Sequence, residues 1–176
     1  MDRLVTLFGG GGFLGRYVAQ ALLNAGARVR IVQRNPNTAV FLKPLASLGQ
    51  LQLVAGSITN PARVRAAAEG SDAVVNLVGI LKGRFHDIHV EGARNVAEGA
   101  AAAGAKALVQ LSAIGADPDD SSAYLATKGE GEAAARAAFP GATIMRPSLI
   151  FGREDNFVNR FAGLARIAPV LPVVRG

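Results

Sequence analysis

Tyr124 and Lys128 stand four residues apart in Tyr-Leu-Ala-Thr-Lys, and Ser112 lies twelve residues ahead of them. On a helix, positions i and i+4 share a face. The Lys128 ammonium there could stabilise a Tyr124 phenolate and draw its pKa down from about 10 toward working pH. Such a tyrosine exchanges a proton with a substrate hydroxyl or carbonyl, and Ser112 can hydrogen-bond the same oxygen. The expected catalytic residues are Tyr124, Lys128 and Ser112. The plain alternative is an exposed helix face, against which stands the serine at the end of the preceding strand. His86 and His89 are the two histidines and fall three apart on a helix. No third ligand accompanies them, so no metal site is expected.

Glycines near the start supply what a proton relay lacks. In Thr6-Leu7-Phe8-Gly9-Gly10-Gly11-Gly12-Phe13-Leu14-Gly15-Arg16, Gly9, Gly12 and Gly15 recur every third residue between an apolar strand and a helix. That pattern allows a tight turn, a close approach of backbone N–H groups to a pyrophosphate, and tight helix-on-strand packing. The first helical turn adds unsatisfied N–H groups and the positive end of the dipole. Gly9, Gly10, Gly11, Gly12, Phe13, Leu14 and Gly15 are therefore expected to hold a dinucleotide. A nicotinamide would carry the hydride that accompanies proton exchange at Tyr124. The second strand ends at Gln33-Arg34, where an acid would bind the adenosine ribose hydroxyls and an arginine accepts a 2′-phosphate. NADPH is favoured over NADH, with NAD kept open.

Strands and helices alternate along the chain to position these residues. Strands are expected at 4–8, 28–33, 51–54, 73–78, 107–111 and 143–146, and helices from Leu14 to Ala25 and over 39–48, 87–103 and 124–138. Asn60-Pro61 marks a further helix start, with an N-cap and a proline at the first helical position. The alternation predicts an α/β, doubly wound parallel sheet with ligands at the carboxyl ends of its strands.

Composition narrows the function. Fifty per cent hydrophobic residues over 176 suit one domain with a substantial core. With no cysteine there is neither a disulfide framework nor a thiolate zinc site. Asp2-Arg3 leads straight into the first strand with no signal core, and no apolar run is long enough to span a membrane, so a cytoplasmic protein is expected. The net charge is +6, with the basic residues concentrated in the two flanks. Without Trp, and with only two Tyr, base-stacking platforms are scarce. An anionic cofactor, an acidic partner or a phospholipid surface explains the charge better than nucleic acid does.

The glycine turn, Tyr124-x-x-x-Lys128, Val90-Glu91-Gly92-Ala93-Arg94-Asn95-Val96 and Arg146-Pro147-Ser148-Leu149-Ile150-Phe151-Gly152 together resemble an extended or atypical short-chain dehydrogenase/reductase of the epimerase/dehydratase type. Gly11 to Arg16, Arg34 and Asn76-Leu-Val-Gly-Ile-Leu81 are most similar to the branch of the NADPH-binding accessory subunit of respiratory complex I and its bacterial relatives. The resemblance implies tightly bound NADPH and a role in holding or assembling a quinone-reducing complex at the membrane surface. It also implies Arg34 at the 2′-phosphate, Ser57 and Ile58 at the adenine, and Val78 and Gly79 along the cofactor. Tyr124 and Lys128 fall at the nicotinamide ribose, and Pro147 to Ile150 near the nicotinamide. Two residues depart from the pattern: Ser57 stands where an aspartate is usual, and His89 where a catalytic tetrad has asparagine. Extended members also continue into a last sheet strand and a substrate lid, so residues 1–176 read as a truncated domain. The helical apolar face of Phe157, Phe161, Leu164 and Ile167 would need cover. The competing readings are an active oxidoreductase, epimerase or dehydratase using the Tyr-Lys pair on a small hydroxy or keto substrate, and an NADP(H) sensor without turnover.

Overall fold

A computed structural model describes residues 3–155 together with Asn159 and Gly163. Six parallel strands, β1 (Leu4–Phe8), β2 (Arg28–Gln33), β3 (Leu51–Ala55), β4 (Ala73–Asn76), β5 (Ala107–Leu111) and β6 (Thr143–Met145), form one sheet in the order β3-β2-β1-β4-β5-β6. Helices α1 (Phe13–Asn24), α2 (Pro61–Ala68), α3 (Gly92–Ala102) and α4 (Ala123–Ala138), with a 3-10 stretch between β2 and β3, provide the connections. The chain runs outward from β1 to β3 and then outward again from β4 to β6 on the other side. Between β1 and β4 the direction of winding reverses, which opens a crevice at their carboxyl ends.

Adjacent strand residues point to opposite faces. Leu7 joins Val5, Val29, Ile31, Ala19, Leu23 and Leu42 in a core beneath α1. Phe8 joins Val32, Val64, Val74, Val96 and Leu108 beneath the other helices. Small residues draw those helices close: a Cβ on Gly99 would lie 2.9 Å from Val64 Cγ1. Asn60 caps α2 as expected, its Oδ1 accepting the Arg63 N–H at 3.0 Å.

Strand β3 and α4 differ from expectation by one residue at one end and α1 by one at each, and four further elements depart from it. The segment expected as a helix over 39–48 is a 3-10 stretch at Pro36–Leu45, where Pro44 lacks the N–H an α-helix would use. Strand β4 ends at Asn76 rather than Val78, because Asn76 Oδ1 takes the Val78 N–H at 3.1 Å and turns the chain out of the ladder. The long helix expected from Asp87 opens with a π-turn, His86–Glu91, before α3 begins. Strand β6 closes at Met145, one residue early. The apolar face built on Phe157, Phe161, Leu164 and Ile167 lies outside the described residues. Among the described residues, no helix is long and apolar enough to cross a membrane.

Strand β6 is tied to α4 by one buried carboxylate. The Glu132 side chain is 3% exposed and receives Arg146 through two bonds, Nε to Oε1 and Nη2 to Oε2, both 2.7 Å. Burial alone would raise its pKa, but the two bonds from Arg146, the closeness of the Ser112 hydroxyl and the charges of Arg146 and Arg136 hold it below the usual carboxylate value. A depressed folded-state pKa contributes stability that is present above the unfolded value and lost as pH falls through the folded one. Replacing Arg146 with Ala should lower the midpoint of urea unfolding at neutral pH, because it leaves the buried Glu132 carboxylate without its two-bond partner. The deficit should shrink in acid as the stranded carboxylate takes up a proton.

Candidate functional site

The glycine turn leaves β1 at the crevice. Gly9 adopts φ +80°, and a Cβ on it would stand 3.1 Å from Val78 Cγ2, so the turn and the loop after β4 meet there. Gly12 is the N-cap of α1 and offers no side-chain cap. A Cβ on Gly12 would meet only Gly9 O, at 3.2 Å. A Cβ on Gly15 would instead strike the backbone of Gly9 and Gly10 at 2.5 to 2.6 Å. Gly15 thus serves helix packing, whereas Gly12 keeps space open above uncapped N–H groups. That combination fits a pyrophosphate. Phe13 and Leu14 form the first turn of α1.

Gln33 contributes a contact the sequence did not disclose. Its Oε1 accepts the Gly11 N–H at 3.0 Å and its Nε2 donates to Asn35 O at 2.9 Å and to Thr38 Oγ1, locking the turn to the end of β2. Arg34 is exposed beside it, with no ion pair among the described residues. The Ser57 hydroxyl shares a hydrogen with Thr59 Oγ1 at 2.8 Å. Ile58 is buried in the core under Gly92, and its carbonyl accepts Asn95 Nδ2 at 2.8 Å.

The chemical residues lie across the crevice. Lys128 is 6% exposed, and its Nζ donates to Leu111 O at 3.3 Å. A Cβ on Gly79 would come within 3.2 Å of that Nζ, so glycine lets the loop after β4 pass over the ammonium. Burial lowers the Lys128 pKa to about 8 against the opposing charge of Glu132. Tyr124 sits one turn earlier, with Nζ 6.0 Å from its ring centroid. Its pKa is pushed up by burial, contrary to the expectation that the lysine would lower it. With Nζ committed to the Leu111 carbonyl, desolvation outweighs the attraction of a distant ammonium. Ser112, 4% exposed, donates its N–H to Met145 O at 2.7 Å. Its buried hydroxyl lies close enough to Glu132 to lower that carboxyl's pKa, yet makes no hydrogen bond of ordinary geometry.

The loop after β6 closes the far side. Pro147 O accepts the Ile114 N–H at 2.9 Å, and Ile150 is half-buried. Glu154 pairs with Arg16 Nη1 at 3.1 Å and accepts the Tyr17 hydroxyl, and Gly152 packs near the Phe13 ring. These contacts hold the loop against the first turns of α1. A carboxylate far along the chain from an arginine gives no sequence signal, so the clasp was not anticipated. The two histidines separate: His86 is exposed, whereas His89 is buried with both ring nitrogens in hydrogen bonds. Among the described residues no cluster of three metal-ligating side chains occurs.

The fold and the glycine cradle define a dinucleotide-binding domain, and residues 9–157 match the family described as NAD(P)H-binding. The chain belongs to that family, and its cofactor is a nicotinamide dinucleotide. It is 37% identical over 164 residues to NADH dehydrogenase [ubiquinone] 1 alpha subcomplex subunit 9, mitochondrial, of Mus musculus, covering 90% of this chain and 44% of that protein. It is 35% identical over 175 residues to the ceramide reductase of Caulobacter vibrioides, covering 97% of this chain and 54% of that one. A Bacillus halodurans structure described as an NAD-dependent epimerase/dehydratase shares the fold, with a TM-score of 0.73 and 23% identity over 88% of this chain and 74% of that one. The chain thus spans about half the length of the curated relatives it matches.

Two substitutions should separate cradle from scaffold. Gly12→Val should melt close to the parent yet lose at least tenfold in dinucleotide affinity by calorimetry, because its side chain enters the open space. Gly15→Ala should instead destabilise the fold by about 1–3 kcal/mol. A lysine whose folded pKa lies below its unfolded one disfavours folding while it is charged, and the penalty fades as pH rises from about 8 toward 10.5. Lys128→Met should therefore stabilise the cofactor-free protein at neutral pH by about 1–3 kcal/mol, as read by urea unfolding at two pH values.

Proposed function

We propose that this chain is the NADPH-holding domain of an accessory or assembly component of NADH:ubiquinone oxidoreductase, peripheral to the membrane on its cytoplasmic side. The observation that carries NADPH is the end of β2, where an acid would repel a 2′-phosphate. The neutral Gln33 there is turned inward onto Gly11, and the exposed Arg34 stands next to it. In this reading Gly9 to Gly15 hold the pyrophosphate, Arg34 the 2′-phosphate, and Ser57 with the Ile58 backbone the adenine. Val78 and Gly79 run along the cofactor, Tyr124 and Lys128 meet the nicotinamide ribose, and Pro147 to Ile150 flank the nicotinamide. The likeness to the mouse complex I subunit supports the accessory role. So does a Tyr124 whose pKa is raised, which suits a cofactor held rather than turned over.

A second reading, an active reductase or epimerase, is favoured by one feature of the mouth. Leu81, Ile114 and Phe151, which follow β4, β5 and β6, are 79%, 64% and 75% exposed, an apolar surround that suits a lipid-like carbonyl compound. The ceramide reductase likeness points the same way. When bound, the nicotinamide supplies or accepts the hydride. Tyr124 would then give its hydroxyl proton to the substrate oxygen, Lys128 would offset the phenolate charge, and Ser112 would orient that oxygen.

Calorimetric titration with NADPH and NADH checks the assignment. Arg34→Glu should weaken NADPH by about tenfold or more and leave NADH nearly unchanged; equal losses would remove Arg34 from the site. Co-migration of the intact protein with a membrane complex supports the accessory role. Carbonyl reduction abolished by Tyr124→Phe would support the reductase.

A further inference from the structure

Next to the tyrosine and lysine stands an imidazole that neither reading employs. His89 is carried into the interior by the π-turn and is 3% exposed. Its Nε2 accepts the Ile80 N–H at 3.2 Å, and its Nδ1 lies 3.1 Å from Thr127 Oγ1. Thr127 Oγ1 has a single proton and lies 2.7 Å from Ala123 O, to which it donates, which leaves the hydroxyl oxygen as an acceptor toward the ring. The hydrogen-bond geometry therefore puts the ring proton on Nδ1 and the lone pair on Nε2. The ring also belongs to a three-membered aromatic cluster. Phe85 stacks on it at 5.3 Å and 17°, and Tyr124 meets it edge to face at 5.5 Å and 86°. Phe85 in turn meets Tyr124 at 6.0 Å and 76°.

We infer that His89 is a positioning residue for the Tyr124 and Lys128 pair, joining the loop Val78 to Ile80 to α4 through its two nitrogens and walling the Tyr124 ring with its own. The inference rests on the reading of that pair as a dinucleotide contact. Gly131 makes the approach of the two elements feasible, since a Cβ there would collide with His89 O. The ring is not a proton carrier. A second proton on Nε2 would break the bond to Ile80 and set a cation beside Lys128, the charged group that faces it from α4. Burial, reinforced by Lys128, holds the His89 pKa down at about 4. An asparagine in this place would offer one acceptor and one donor but no aromatic wall. His89 therefore bridges the loop and α4 and also fixes the plane of the tyrosine.

Nitrogen-15 NMR of the full chain with labelled histidine, assigned through His86→Gln, tests the tautomer without any cofactor. The expected result is a proton on Nδ1 alone from about pH 5 to about pH 8. A proton on Nε2, or a doubly protonated ring in that range, would overturn the inference. Two variants then divide the roles: His89→Phe keeps the wall without the hydrogen bonds, and His89→Asn keeps a donor and an acceptor without the wall. In a Tyr17→Phe background only Tyr124 contributes tyrosinate absorbance, because the chain has two tyrosines. His89→Asn should let Tyr124 ionise about one pH unit lower, whereas His89→Phe should leave that titration in place and weaken NADPH binding about tenfold. Identical titrations in all three proteins would refute the wall, and undiminished NADPH affinity in His89→Phe would refute the bridge. Should the parent fail to bind NADPH at all, the functional reading falls while the tautomer and the tyrosine titration still decide the role of His89.

Discussion

A lysine ammonium with almost no access to water has to be solvated by protein, and the arrangement around Lys128 follows from that requirement. It receives one carbonyl, from Leu111, and the field of one carboxylate, Glu132, a turn further along α4. Glu132 is itself buried and leans on Arg146, so a chain of alternating charge runs from the interior to the surface. Gly79 leaves room for the ammonium, and His89 keeps a second cation away from it. The placement of these neighbours follows from keeping the lysine inside.

Neutral amides complete the frame. Asn76 and Gln110 pair across β4 and β5, almost fully buried, with Asn76 Nδ2 donating to Gln110 Oε1 at 2.9 Å. Gln110 Nε2 continues to Leu111 O, the same carbonyl that receives Lys128, while Asn76 Oδ1 takes the N–H of Val78. The backbone of the loop after β4 is thereby connected to the lysine through side chains at the ends of two strands. Fully satisfied polar chains of this kind stiffen a site, because a break anywhere strands a buried group.

Much of this was legible in the sequence, for reasons that can be named. Strand and helix periods survive in single stretches, and glycines at three-residue spacing declare a turn whatever lies far away. The Asn60-Pro61 cap was readable because capping is local. The end of β4, the π-turn and the reversal of the Tyr124 shift were not, since each is decided by a partner distant in the chain or by desolvation. Gln33 shows the boundary well. Its identity was noticed at the place of an absent acid, but its bond to Gly11 spans 22 residues and appears only in the folded chain. Ser57 and Ile58 show it again: the turn was visible, but not that Ile58 would be used as core.

The place of β1 in the sheet has a consequence for assembly. Its strand is synthesised before the other five, yet it pairs with both β2 and β4, so each half of the sheet is built against it. An early central strand serves as a template that waits, and the β1 to β4 pairing cannot close until more than 60 residues have followed, Val5 meeting Ala73. Non-local closure of that kind slows folding. Until it happens, one edge of a very apolar strand stays open, which makes this interval the moment of greatest exposure to mispairing with another chain. The crevice at the carboxyl ends of β1 and β4 is formed by the same late event, so its completion and the end of that exposure arrive together.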